Sequence, residues 1–199
     1  YVPQLVNIYK PSKRNLAKVI NICFLGHPLK KKGIGNIIKY FDNISEKHRS
    51  NFTFNFAFSR IGNLKYYKSK IIKSCKRYNI KYKFWDDVKP HVFFRNNDAF
   101  LLPIKDEFSA TSVPNTILEA MEAGCGVITV KNNIIKEEMS GRRNCLLLDS
   151  PSSIDIGRSL EWCLANSDKF AIIRKNARNY ILNNYSNSKI YKNILKCYE

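Results

Sequence analysis

The chain lacks the long apolar runs, leader segment and clustered metal ligands that mark several large protein classes. Its longest apolar stretches, residues 19–26 and 99–104, fall well short of the roughly 20 residues needed to cross a bilayer. No charged, then apolar, then small-residue leader opens it. It starts at Tyr1 rather than Met, so the expectation is that the natural N-terminus lies upstream. Histidine is scarce, with only His27, His48 and His91. The 6 cysteines (Cys23, Cys75, Cys125, Cys145, Cys163 and Cys197) form no CxxC pair. Such scattered ligands argue against a structural zinc site and fit a reduced, cytosolic compartment. Asp86 and Asp87 are adjacent and not alternating, so no DxD metal pair is present. No internal repeat and no low-complexity linker interrupts the sequence.

Acid is also short. Against 34 Lys and Arg stand 16 Asp and Glu, a formal charge of +18. That balance invites an anionic partner: phosphate, a membrane surface or nucleic acid. The basic residues run from Lys10 to Lys196 without forming one block, and Lys, Asn, Ile and Tyr are abundant together. An AT-rich genome produces that bias without selection for binding. No K/R-G-F/Y-G/A-F-V signature supports an RNA-recognition module, and no nucleic-acid partner is expected. Peripheral contact with an anionic membrane stays open.

What the chain does have is a globular composition, with 44% hydrophobic and 25% charged residues, enough for one domain with a buried core. After an irregular lead-in over residues 1–18, short apolar segments alternate with longer amphipathic ones. Strands are expected at 19–26, 52–58, 80–85, 99–104, 126–130 and 145–149. Helices are expected at 34–44, 64–78, near 89–96, 113–123 and 134–140, with two or three more over 152–198. Apolar strands alternating with helices predict an α/β domain over 19–199, a Rossmann-like six-stranded parallel sheet with helices on both faces and a helical C-terminal tail. Such sheets bind ligands beyond the carboxyl ends of their strands, where strand order reverses. The loops after strands one, four and five are therefore where chemistry is sought.

The loop after strand four carries the densest pattern. Thr111 or Ser112 can cap the helix that follows, and Pro114 suits its first turn because a missing N–H is harmless there. The free N–H groups of Asn115 and Thr116 would then make an anion site at a helix start. Glu119 lies about one turn further in, where a carboxylate suits sugar hydroxyls better than phosphate; a solvated helix glutamate is the plain alternative.

The run Pro114-Asn-Thr-Ile-Leu-Glu-Ala-Met-Glu-Ala-Gly-Cys-Gly-Val-Ile-Thr129 resembles the signature of family-4 glycosyltransferases of the GT-B fold, E-G-F-P-N-x-x-L-E-A-M-A-x-G-x-P-V-(V/I)-A-T. The likeness continues in register through Ile135-Lys-Glu137 and Asn144-Cys145 to Leu148. The resemblance implies that Glu119 is the second glutamate of the family's E-x7-E motif, which binds the nucleotide ribose. Eight residues earlier, where the first glutamate is usual on the sugar side, this chain has Thr111; Asp106 and Glu107 lie just upstream and could reach in from a bulged loop.

Gly26-His-Pro-Leu-Lys-Lys-Lys-Gly33 resembles the family's G-R-L-x-x-x-K-G, whose cations neutralise the donor's diphosphate. Lys32 and Gly33 fall on its Lys and Gly, and His27 replaces its Arg. Imidazole is a weaker partner, charged only below about pH 6.5 when unperturbed. Lys30 and Lys31 read as solvated. Phe84-Trp-Asp-Asp-Val88 resembles F-L-G-x-V, whose backbone holds the nucleobase; the Val88 backbone carries over, Asp86 replaces the usual glycine, and Trp85 reads as core.

The resemblance implies the donor-binding half of a retaining, metal-independent glycosyltransferase. It would move a hexose or N-acetylhexosamine from a nucleoside-diphosphate sugar, UDP foremost, to a lipid-linked or saccharide acceptor. The acceptor would be held by a separate N-terminal domain. Bacterial surface polysaccharide (O-antigen or capsule) at the cytoplasmic side of the plasma membrane is the expected setting. The nucleotide sugar is a substrate, so no separate cofactor is expected. The rival readings are a UDP-sugar epimerase of the same fold, a basic nucleic-acid-binding module, and a degenerate domain that keeps the fold without the activity.

Overall fold

A computed structural model of the chain describes residues 19–104, 113–131, 135, 139, 141 and 143–185. Six strands form one sheet: β1 (Ile20–Gly26), β2 (Phe52–Phe58), β3 (Lys81–Trp85), β4 (Ala99–Leu102), β5 (Gly126–Val130) and β6 (Leu146–Leu148). All five neighbouring pairs run parallel, in the order β3-β2-β1-β4-β5-β6. The order reverses between β1 and β4, so the crevice of a doubly wound sheet opens at their carboxyl ends. The expected fold class is the observed one.

Seven α-helices are described: α1 (Ile34–Asn43), α2 (Glu46–Arg49), α3 (Leu64–Arg77), α4 (Pro90–Arg95), α5 (Asn115–Glu122), α6 (Ser153–Ala165) and α7 (Ser167–Asn184). On one side α1 packs with α3 and α6; on the other α5 packs with α4 and α7. The alternation in β2 shows how the sequence supplies both faces. Phe52, Phe54 and Phe56 are fully buried, and Phe54 meets Phe41 of α1 edge-on at 4.7 Å between ring centroids. Each such phenylalanine contributes about 1.5–3 kcal/mol on burial. On the opposite face Asn55 is buried but satisfied. Its amide donates to Asn97 Oδ1 at 2.8 Å, and its oxygen accepts from Trp85 Nε1 at 3.0 Å. Trp85 also packs edge-on against Phe93, so it lies partly buried against the core.

Elements begin and end close to expectation, with three differences. The 3-10 turn Lys30–Lys32 and the short α2 were not expected. The N-cap of α5 is Pro114, not Thr111 or Ser112: its ψ of 132° keeps it extended while its carbonyl accepts from Ile117 N at 2.8 Å. Proline's fixed φ and lack of an N–H suit it to that half-helical position. The lead-in over 1–18, most of the expected helix at 134–140 and the tail beyond residue 185 lie outside the described residues.

The amino ends of the strands are held by buried ion pairs from α7. Arg174 reaches Asp98 at 3.4 Å and donates from Nε to the Gly124 carbonyl at 2.8 Å. Asp98 also accepts from the Asn21 backbone N–H at 2.9 Å. One turn later Arg178 pairs with Glu122 at 3.1 Å and also donates to that residue's carbonyl. Glu122, 1% exposed, stands where the resembling signature has alanine. Arg178 is the partner that makes the burial of this carboxylate tolerable.

Candidate functional site

β1 ends on Gly26, whose φ of 144° favours glycine. His27 follows, and its Nδ1 hydrogen-bonds Ser59 Oγ at the end of β2. The register explains the pairing: Gly26 lies opposite Phe58, so the next residue of each strand continues side by side. The second side chain, Ser59, is missing from the sequence reading. It could have been found as the first polar residue beyond the strand at 52–58, once β2 was set beside β1.

The chain then makes the Lys30–Lys32 turn, closed by Lys32 N–H to Leu29 O at 3.0 Å and by Gly33 N–H to Lys30 O at 3.1 Å. Gly33 is both the end of this turn and the N-cap of α1, with φ of 80°. A Cβ there would lie 1.9 Å from the Pro103 carbonyl oxygen, a distance no side-chain atom can occupy. Gly33 thus lets the turn lie directly against Pro103, the residue that follows β4. This contact brings Lys32 from the loop of one central strand to the mouth of the other.

Lys32 is half-buried, and its pKa is lowered by burial first and by the neighbouring charge of Lys31 second. Among the described residues it has no ion-pair partner. Its ammonium is therefore held in partial desolvation without compensation, a state that an anion would relieve.

The other wall of the crevice is α5. Its first N–H groups, on Asn115 and Thr116, have no carbonyl within the helix to meet. Ile117, Leu118, Ala120 and Met121 are buried, while Asn115 is exposed and Glu119 half-buried. Asn115 and Glu119 are four residues apart and share one face. Burial raises the pKa of Glu119. Two helix starts, those of α1 and α5, and two half-buried ionisable groups of opposite sign, without a counter-charge among the described residues, thus follow the two central strands.

Val88 follows β3, two strands out from β1 and so about 10 Å across the sheet. It is half-buried behind Asp87, whose φ is 46°. The left-handed residue of this loop is therefore Asp87, the neighbour of Asp86 at the usual glycine position. Glu107, Thr111 and Ser112 lie outside the described residues. Among those described, no three His, Cys, Asp or Glu side chains gather as a metal site requires. A cavity of 480 Å³ lies at the far edge of the sheet between β6 and α6, bounded by Lys131, Leu147, Asp155 and Trp162. It shares no residue with the crevice.

Strand order, crevice and helix starts define a parallel α/β domain of the kind that binds nucleotides at the switch point of its sheet. The profile of the family Glycosyl transferases group 1 matches residues 8–180, and the chain belongs to that family. Among solved structures it resembles the C-terminal domain of the glycosyl transferase group 1 family protein LpcC from Francisella tularensis. That likeness has a TM-score of 0.69 and 18% identity, over 90% of this chain and 97% of that one. It also resembles Anabaena HepE in complex with UDP-glucose, with a TM-score of 0.75 and 16% identity over 92% of this chain and 49% of that one. A TarM mutant from S. aureus, in complex with fondaparinux, alpha-GlcNAc-glycerol and UDP, gives 0.77 and 15% over 98% and 38%. The chain thus spans 97% of an isolated C-terminal domain but 49% and 38% of the two longer chains. At these identities the likeness speaks for the fold. No curated protein matches the chain.

Proposed function

We propose that the chain is the donor-binding domain of a retaining glycosyltransferase, working with a separate N-terminal acceptor domain and without a metal. The donor is a nucleoside-diphosphate hexose or N-acetylhexosamine, with UDP the favoured nucleotide. The acceptor is a lipid-linked or free saccharide in bacterial surface polysaccharide assembly (O-antigen or capsule) at the cytoplasmic side of the plasma membrane. The observation that carries this reading is Lys32, half-desolvated and unpaired among the described residues, in the turn whose Gly33 lies against the Pro103 carbonyl just beyond β4.

In this reading the donor's diphosphate lies between Lys32 and the N–H groups of Asn115 and Thr116. As the bond between the sugar's C1 and the diphosphate oxygen breaks, negative charge grows on the leaving group. A fixed ammonium stabilises that charge more in the transition state than in the ground state. Helix starts add aligned N–H dipoles without reorganisation. Glu119 accepts from the ribose hydroxyls, the Val88 backbone borders the base, and His27, oriented by Ser59, adds a second contact to the phosphates. Glu107 and Thr111 are assigned to the sugar side, and Ser112 to donor binding beside them.

The test is a thermal-shift panel of UDP, GDP, ADP and their sugars against wild type and Lys32→Ala. The expected result is stabilisation by one nucleotide that weakens in Lys32→Ala. Equal stabilisation of both proteins sinks the phosphate assignment, and robust sugar transfer by the 199-residue chain alone sinks the two-domain assignment.

A further inference from the structure

Helix α3 stands apart from every other element in its charge. Its 14 residues, LKYYKSKIIKSCKR, hold Lys65, Lys68, Lys70, Lys73, Lys76 and Arg77 and no acid. Its buried face is narrow, Ile71 and Cys75. Lys65, Tyr66, Ser69, Lys70, Lys73, Lys76 and Arg77 are all exposed. Their spacing, near multiples of four with neighbours one place on, puts them on one outward stripe, about 18 Å long at 1.5 Å per residue. The nearby carboxylates are already engaged at its margins. Asp86 pairs with Lys68 at 3.4 Å, Asp87 with Arg60 at 3.9 Å, and Asp42 accepts from Ser74 at 3.4 Å.

Apolar side chains stand beside the stripe at the crevice end of the helix. Ile61, in the turn before α3, is 63% exposed, and Tyr66, in its first turn, is 50% exposed. Gly62, with φ of 102°, packs 3.0 Å from the Pro28 carbonyl where a Cβ would sit. That contact ties the Ile61 turn to the loop that carries Lys32. A basic stripe thus ends in two exposed apolar side chains next to the mouth of the candidate site.

We propose that the outer stripe of α3, with Ile61 and Tyr66, is a docking surface for an anionic lipid bilayer. It deepens the functional reading above, resting on it for the lipid-linked acceptor. Five of the six basic residues are lysines, compact hydrated charges suited to a diffuse anionic surface more than to bidentate phosphate or base recognition. Tyrosine and isoleucine beside lysine fit the boundary between headgroups and acyl chains. Single-stranded nucleic acid would call for a groove with exposed aromatic platforms for successive bases, and the stripe presents one aromatic ring.

The experiment is flotation of the purified chain with vesicles of phosphatidylcholine, alone or mixed with phosphatidylglycerol, over a range of salt. Two variants with equal charge loss are compared: Lys70→Gln with Lys73→Gln and Arg77→Gln, and Lys131→Gln with Lys169→Gln and Lys175→Gln, exposed elsewhere. The wild type should bind only the mixed vesicles, more weakly as salt rises. The α3 variant should lose roughly a hundredfold in partitioning at low salt, since each lysine near such a surface contributes about fivefold. The control variant should lose far less, and Ile61→Asn should weaken binding in a salt-insensitive way. Equal losses in both triple variants would show net charge acting alone and overturn the proposal. So would equal binding to pure phosphatidylcholine, or displacement from vesicles by single-stranded DNA through the same α3 residues. The thermal shift by UDP should be unchanged in the α3 variant. Its absence from wild type as well sinks the donor-binding reading while leaving the vesicle result to stand by itself.

Discussion

At the amino ends of the strands, the buried charges Asp98, Glu122 and Arg174 are paired or hydrogen-bonded on more than one side. At the carboxyl ends, Lys32 and Glu119 are half-buried and, among the described residues, have no counter-charge. Both ends bear desolvated charge, and they treat it in opposite ways. Compensated charge fixes helices to the sheet. Uncompensated charge costs folding some stability and leaves interaction energy for whatever enters. This difference separates the residues that hold the domain together from those that would do its work.

The comparison can be broken by substitution. Arg178→Met strands the Glu122 carboxylate and should lower stability by about 3–5 kcal/mol, read by urea unfolding, while any nucleotide-induced shift persists. If stability stays near wild type, the amino-end pairs are ornamental and the contrast fails. Gly33→Ala forces a Cβ into the Pro103 carbonyl at positive φ and should cost about 3 kcal/mol. Here loss of the UDP response should accompany the loss in stability, because the turn that carries Lys32 must move. Lys32→Ala should weaken nucleoside-diphosphate binding by about 2 kcal/mol, measured by calorimetry, with unfolding unchanged or slightly improved. Glu119→Gln should weaken it by ~1–2 kcal/mol.

The smallest effect is that of pH. Burial holds the Lys32 pKa below its ordinary value, and a bound anion would raise it again, so binding takes up protons in the window between the two. Diphosphate affinity should be level below the depressed pKa and fall as pH climbs through it; a flat alkaline limb would count against Lys32 as the contact. For Glu119 the folded pKa is raised above the unfolded value. Its carboxylate therefore opposes folding increasingly as pH rises through that range, and Glu119→Gln should relieve the cost at neutral pH.

Much of the fold was legible because the signals were local. The strands at 52–58 and 126–130 were expected at their observed bounds, since alternation in one and an apolar run between Gly and Lys in the other set the edges. The crevice followed from strand order alone. What escaped depended on distant partners. Lys30 and Lys31 read as solvent-facing and Lys32 as a phosphate contact, but nothing nearby says that the three form a turn closed by Gly33 against Pro103, 70 residues on. Ser59 was silent until β2 lay beside β1. The α5 cap was misplaced because Thr111 and Ser112 are better capping residues in general than Pro114, whose geometry decided the matter. For Glu122, a buried carboxylate makes sense only with Arg178 in view, a residue from the far end of the chain.

The pairing of β1 with β4 has a kinetic meaning as well. Successive strands on either side of it are joined by crossovers of 15 to 25 residues, whereas the contact of Asn21 with Asp98 closes a separation of 77 residues. The domain is two local layers of strand and helix sewn along one seam, and long-range closure of this kind is the slow step in folding. The crevice opens at the end of that seam, so a nucleotide lodged there would act as a clasp across it. By mass action, a ligand at a hundred times its dissociation constant adds about 2.7 kcal/mol to the closed form. Amide exchange along β1 and β4 should then slow more than at β3 or β6, marking the line along which the two layers first part.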